Sequence, residues 1–264
     1  MAMTPRKRAR LSRGIQYAVL AVAVVLAAAF ADWPTLVEDF FNPSIVVQLI
    51  PELFTIALKN TVIYTACAFT FGLLLGLVLA LMRLSSVGPY RWFATVFIEV
   101  FRGLPALLVF IGFRFGVPTA FPGYAMPGGI LGTVTVALGL VGAAYMAETI
   151  RAGIQAVPKG QFEAARSLGM THTRAMVSVV IPQAFRIILP PLTNELILLT
   201  KDSSLVYVLG LTIDEYELTS FGRDALAELV NVTPLIAIGV AYLMITVPLS
   251  IVVRRMEARS ARAR

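Results

Sequence analysis

Cysteine and histidine are almost absent from this sequence, with one of each, Cys67 and His172. A single thiol excludes an internal disulfide and any multi-cysteine metal site, and a single imidazole excludes a histidine-built zinc site. No Gly-Lys dipeptide occurs anywhere, so the chain has no P-loop. No nucleophile elbow or metal-ligand spacing is found either, which argues against a membrane enzyme or receptor subunit. Charge is scarce as well: charged residues make up 14% of the chain, against about 25% in soluble domains.

What fills the space is apolar. Apolar residues reach 58%, against roughly 45–50% in soluble domains. The mean hydropathy is +0.82. A soluble fold of this length has too little polar surface to cover such a core, so lipid is the natural solvent. The net charge of +7 would raise nucleic acid in a soluble protein. Here the basic residues cluster at helix ends and tails, which reads as an orientation signal, and no nucleic-acid partner is expected.

A helix needs about 20 apolar residues to cross the hydrocarbon. Candidate spans are Ile15–Ala31, Ala57–Met82, Phe93–Val117, Gly129–Ala147, Arg186–Leu209 and Pro234–Val253. The expected fold is therefore all-α, a polytopic membrane helix bundle of about six transmembrane helices. The apolar runs are continuous rather than alternating, which argues against a β-barrel. With six spans, Arg6, Lys7, Arg8, Arg10 and Arg13 share one side with Arg83, Arg91, Arg151, Lys159, Arg166, Arg174 and the C-terminal arginines from Arg254 to Arg264. That side is the cytoplasm, and both termini are expected there. The opposite loops hold Asp32, Glu38, Asp39, Glu52, Asp214, Glu215, Glu217, Asp224 and Glu228, with Arg223 the basic exception. A second reading of the first span is a signal peptide cut after Ala29-Phe30-Ala31. Its apolar stretch of about 17 residues exceeds the usual 7–15, which favours a retained helix.

The segment Glu148–Leu205 is the most informative. Pro158 can open a helix, because its missing N–H is not needed in the first turn. Lys159–Leu168 then reads as a short helix, closed by Gly169 in a left-handed conformation, with a second helix starting near Thr171. Phe162, Ala165 and Leu168 are expected on one face. Ala164 and Ala165 keep part of the surface flat enough for close backbone approach. His172 is expected to be solvated in the turn. The physics leaves two readings open, a stiff knob presented to a partner and an interfacial helix that packs on the bundle.

Polar residues within the spans form a second group. Glu99 and Arg102, and Glu148 and Arg151, are three apart, as neutralising pairs on one helix would be. Asn194 and Lys201 are seven apart, as are Glu195 and Asp202, so each pair shares a helix face. A helix entering at Arg186 places Glu195 about 14 Å deep, near the bilayer centre, where a charge is costly unless it faces a polar interior. Glu99, Arg102, Asn194, Glu195, Lys201 and Asp202 are therefore candidate substrate-pathway residues; the alternative is a structural polar network between subunits. Gly72 with Gly76 and Gly112 with Gly116 read as close-packing patterns. Pro190-Pro191 should break or kink its helix.

Glu163-Ala164-Ala165, then Gly169, then Val179, Ile181 and Pro182, resembles the EAA loop of permease subunits in ATP-binding-cassette importers. Val179 and Ile181 stand where the family prefers Ile and Leu. Ala144-Tyr145, Glu148, Arg151, Gly160-Gln161, Gln183-Ala184, Arg186, Leu189-Pro190-Pro191, Asn194 and Lys201-Asp202 resemble the polar-amino-acid branch, as do Glu99, Arg102, Gly103 and Pro105. The resemblance covers residues 53–255, with the loop at about 148–182. It leaves 1–52 as a basic tail, first helix and outer loop, and 256–264 as a basic cytoplasmic tail.

The resemblance implies a type I importer permease fold, a five-helix core plus one N-terminal helix, in a bacterial cytoplasmic membrane. It also implies a coupling loop of Gly160, Gln161, Phe162, Glu163, Ala164, Ala165, Leu168, Gly169 and Pro182 that docks on a separate ATPase. Implied partners are two ATPase subunits, a second permease copy or paralogue, and an extracytoplasmic binding protein that delivers a polar amino acid. ATP and magnesium would sit on the ATPase, and this chain would bind no cofactor and be no enzyme. The alternative function is an ion-coupled secondary transporter, which would need no such loop.

Overall fold

The computed structural model describes residues 5–262, with side chains described for 12–259. Every regular element among them is helical. In chain order these are α1 (Pro5–Phe30), α2 (Trp33–Phe40), α3 (Pro43–Glu52), α4 (Lys59–Leu84), α5 (Gly88–Gly103), α6 (Ala106–Ile111), α7 (Val117–Ala120), α8 (Gly129–Gln155), α9 (Lys159–Ser167), α10 (His172–Ala175), α11 (Ile181–Asp202), α12 (Leu218–Leu229) and α13 (Thr233–Arg262). Wide π-helical turns join α3 to α4 (Leu53–Leu58), α6 to α7 (Gly112–Gly116) and α10 to α11 (Met176–Val180). A 3-10 stretch, Ser203–Leu209, extends α11. Among the described residues, five helices are long and apolar enough to cross a membrane, or six if α5 and α6–α7 form one bent span.

The centre of the bundle is α4 against α8. A Cβ at Gly72 would lie 3.0 Å from the carbonyl oxygen of Gly139, and one at Gly76 3.0 Å from that of Ala143. The two backbones touch, which is how membrane helices gain dispersion contact where lipid offers no hydrophobic drive between them. The expected Gly72/Gly76 pattern is thus used. Gly112 and Gly116 are not: nothing among the described residues lies within 4 Å of a Cβ at either. Leu79, Ile98, Phe110, Leu138, Met146 and Leu209 are fully buried around this contact. A second cluster joins α3 to α12 and α13 through Leu49, Leu53, Leu218, Phe221 and Ile238. By contrast, no side chain of Ser12–Phe30 in α1 is buried.

Several expectations need correction. The third span is not one straight helix: α5 and α6–α7 meet at 105°. Leu104 is extended (φ −85°, ψ 135°) because the residue before proline is driven out of the α region, and Pro105 has no N–H with which to continue α5. The outer loop after α1 folds into α2 and α3. Asp32 and Asn42 cap them by accepting the N–H groups of Thr35 and Ser44, with a proline in each first turn. The fifth span does not break at Pro190-Pro191, since α11 is continuous across both. Both tails are largely helix: α1 begins at Pro5 and α13 runs to Arg262, while Arg264 lies outside the described residues. The loop before the last span contains α12, which hydropathy did not single out.

Candidate functional site

α8 ends at Gln155, and Pro158 is the N-cap of α9 (φ −57°, ψ 129°). α9 closes on Gly169, whose φ is +85°. The Gly169 N–H donates to the Arg166 carbonyl (3.0 Å) and the Met170 N–H to the Ala165 carbonyl (3.2 Å), which together form the Schellman arrangement. Thr171 then caps α10 by accepting the Arg174 N–H at 3.3 Å. The helix–turn–helix expected from Pro158, Gly169 and Thr171 is present, with the first helix ending at Ser167 rather than Leu168.

Its faces differ from the expectation in one respect. Ala165 is buried and Phe162 half-buried against the bundle, next to Val157 and Val180. Leu168 does not join them; it is 84% exposed. As the C-cap residue (φ −80°, ψ 10°) it leaves the helical path and turns its side chain outward. Gly160, Gln161, Glu163, Ala164, Gly169 and Pro182 are exposed with it. Gln183 ties the turn together, donating to the Val179 carbonyl (2.9 Å) and to Gln161 (3.4 Å). His172 is exposed as expected, but its ring also stands edge-on to Phe162 at 5.1 Å.

The ion pairs are redistributed. Glu148 and Arg151 pair as expected, with Arg151 Nε donating at 3.0 Å. Arg83 of α4 also donates to Glu148, at 2.7 Å. Glu99 does not pair with Arg102; it lies 3.6 Å from Arg83. Arg102 instead stands over the Tyr145 ring, 5.6 Å from its centre, and its carbonyl accepts the Tyr145 hydroxyl at 3.4 Å. For Glu99 and Arg102 the spacing argument failed because α5 lies beside α4 and α8, and a neighbouring helix offered each charge a partner.

On α11, Asn194 and Lys201 are exposed, whereas Glu195 and Asp202 are half-buried. Among the described residues, none of the four has a side-chain hydrogen bond or an ion pair. Glu195 and Asp202 thus share a half-buried face of α11, while Asn194 and Lys201 stand on an exposed stripe of the same helix.

Three features escaped the sequence reading. Arg114, within the π-helical turn after α6, donates from Nε to the Leu209 carbonyl at 3.0 Å. Asn60, Thr61 and Tyr64 on α4 clasp the segment before α12: Asn60 donates to the carbonyls of Asp214 (2.7 Å) and Tyr216 (3.0 Å), and Tyr64 to that of Glu215 (2.9 Å). Thr61 accepts the Leu218 N–H at 3.1 Å. Polar residues one turn apart in an apolar run were the available signal. The third is Glu217, fully buried as the N-cap of α12, where it accepts from the Ser220 N–H and hydroxyl (2.8 Å each) and from the Tyr242 hydroxyl at 3.2 Å. Burial pushes its carboxyl above the usual range, against the opposing pull of those hydrogen bonds. Glu-Leu-Thr-Ser ahead of an apolar-periodic stretch was its signal.

Residues 72–262 match the family described as binding-protein-dependent transport system inner membrane component. A probable glutamine ABC transporter permease protein, GlnM, of Bacillus subtilis (strain 168) is 38% identical over 208 residues, 76% of this chain and 89% of that protein. The glutamate/aspartate import permease protein GltK of Escherichia coli O6:H1 (strain CFT073) is 37% identical over 84% of this chain and 99% of its own. A crystal structure of an amino acid ABC transporter with histidines superposes with a TM-score of 0.71 at 37% identity, covering 81% of this chain and 96% of that one. A chain of the MetNI methionine ABC transporter, at 18% identity and a TM-score of 0.63, shares the fold.

Proposed function

This chain belongs to the family of binding-protein-dependent transport system inner membrane components, and from that premise we propose that it passes a polar amino acid into the cell. It is a multi-pass permease of an ATP-binding-cassette importer, which works with ATPase and substrate-binding partners. Ion-coupled secondary transport falls with that assignment. The amino-acid class draws support from the relatives named for glutamine and for glutamate and aspartate.

The observation that carries the mechanism is the knob built by α9. It opens at Pro158, is closed by the Gly169 turn, is anchored by Phe162 and Ala165, and exposes Gln161, Glu163, Ala164 and Leu168. That shape suits insertion into a groove of an ATPase, with Leu168 as the apolar tip. ATP and magnesium would bind to two such ATPase chains, whose closure would rock the permease between inward- and outward-open states. A second permease, a further copy or a paralogue, would complete the pair. Support for it comes from Asn194 and Lys201, exposed on a membrane-spanning helix where a charge costs about 2.5–3.5 kcal/mol unless a polar interior receives it. In the substrate path, Glu195 and Asp202 would receive an ammonium group and Arg102 or Lys201 a carboxylate. The charge asymmetry of the loops supports cytoplasmic termini and a retained α1. The transport unit would be residues 53–255, the stretch over which the sequence resembles the family.

The test is uptake of radiolabelled L-glutamine, L-glutamate and L-arginine into proteoliposomes that hold this chain, its ATPase and its binding protein. Uptake should require internal ATP and persist when ionophores collapse ion gradients. Uptake that follows an ion gradient without ATP refutes the reading.

A further inference from the structure

Glu148 stands where three helices meet near the cytoplasmic end of the bundle. It receives Arg83 from the last turn of α4 at 2.7 Å and Arg151 from its own helix, α8, at 3.0 Å through Nε and again through Nη2. Arg83 also reaches toward Glu99 of α5 at 3.6 Å. Arg151 passes the connection on, donating from Nη1 to Gln155, the last residue of α8. Gln155 lines one cleft with Pro158, Lys159 and Phe162, the residues that begin and anchor α9. The chain of contacts thus runs from α4 and α5 through Glu148 to the root of the coupling helix.

A pair that only neutralises charge at the inner interface would need one acid and one base. Here a single carboxylate, about a quarter exposed, takes two guanidinium groups from different helices. The end of α8 is also held on its other side, since a Cβ at Gly153 would overlap Ile188 of α11. A helix end gripped on both sides moves with the bundle rather than hinging away from it.

We propose that Glu148 is a positioning residue for energy coupling: by tying Arg83 of α4 to Arg151 of α8 it makes α4, α5 and the root of α9 move as one body. This rests on the reading of α9 as the element the ATPase moves. Without the tie, a stroke delivered to α9 bends the α8–α9 junction and is lost before it reaches the transmembrane helices. The docking surface itself is untouched, because Glu148 lies outside it.

The test uses the assembled transporter in proteoliposomes, with the amino acid that the native complex takes up. For Glu148→Gln, the ATPases should copurify at native yield and basal ATP hydrolysis should be retained. Uptake per ATP should fall about tenfold, in the range seen when coupling between sites is weakened. Glu148→Asp, which keeps the charge, should recover most of the loss. Arg83→Gln combined with Glu148→Gln should be no worse than either alone, since the groups act as a unit. Normal uptake per ATP in Glu148→Gln overturns the proposal, as does multiplying losses in the double variant or loss of the ATPases from the complex. Gly169→Val in the same assay separates the two levels. If Gly169→Val transports normally, the reading of α9 has failed. If only Glu148→Gln does, the tie alone has failed.

Discussion

Replacing Gly169 isolates the backbone conformation of the proposed coupling loop from everything around it. Nothing lies within 4 Å of a Cβ built there, so a side chain meets no steric obstacle. What remains is φ = +85°, which L-residues occupy at a cost of roughly 1–2 kcal/mol, more for β-branched ones and less for asparagine. The turn has two hydrogen bonds with which to resist, from Gly169 to Arg166 and from Met170 to Ala165. If the strain opens the cap, the docked conformation becomes rarer by about five- to thirty-fold, at a factor of ten per 1.4 kcal/mol. ATPase docking should weaken by the same factor. The expected order of ATP-dependent uptake is Gly169 above Gly169→Asn, above Gly169→Ala, above Gly169→Val, with expression unchanged because the site is exposed. Uptake and ATPase retention by pull-down would be measured on the same preparations. An order that follows side-chain size, with Gly169→Asn as poor as Gly169→Val, refutes the backbone argument. Equal uptake by all four refutes the role of the turn.

Three further outcomes follow from other parts of the molecule. Glu195→Gln should reduce uptake while the complex assembles and basal ATP hydrolysis persists; normal uptake by both Glu195→Gln and Lys201→Met would remove this cluster from the substrate path. Gly76→Ala should lower the thermal stability of the solubilised chain by about 1–3 kcal/mol, because its Cβ would meet the Ala143 oxygen at 3.0 Å and Met146 Cβ at 3.1 Å, whereas Gly112→Ala should be neutral in the isolated chain. Glu217 has a raised carboxyl pKa in the fold, so the folded protein holds that proton more tightly than the unfolded chain. This contribution is complete below the ordinary value of 4.5 and is lost as pH rises through the folded value. Thermal stability should decline over that window, and Glu217→Gln should flatten the slope; an unaltered slope would count against burial as the cause.

Hydropathy alone determined that the chain is a helical membrane bundle, because each span must satisfy its own backbone in lipid and therefore announces itself as a long apolar run. The helix–turn–helix that begins at Pro158 was equally legible. Pro158, Gly169 and Thr171 act through local backbone chemistry, which needs no distant partner. Gly72 and Gly76 could be read as a contact surface, but their partners Gly139 and Ala143 could not. The bend at Leu104–Pro105 and the caps at Asp32, Asn42 and Glu217 were also written locally, and they were masked by the apolar or acidic character of their surroundings. The partners of Glu99 and Arg102, and the second partner of Glu148, were decided only by the tertiary structure. Spacing of three residues brings charges onto one face of one helix, but an ion pair forms with whichever opposite charge packing brings nearest. Here α4 carried Arg83 to Glu148 and Glu99, and α8 carried Tyr145 to Arg102. The outward turn of Leu168, by contrast, was local: it is the C-cap residue, and there the backbone leaves the helical path that three-residue spacing assumes.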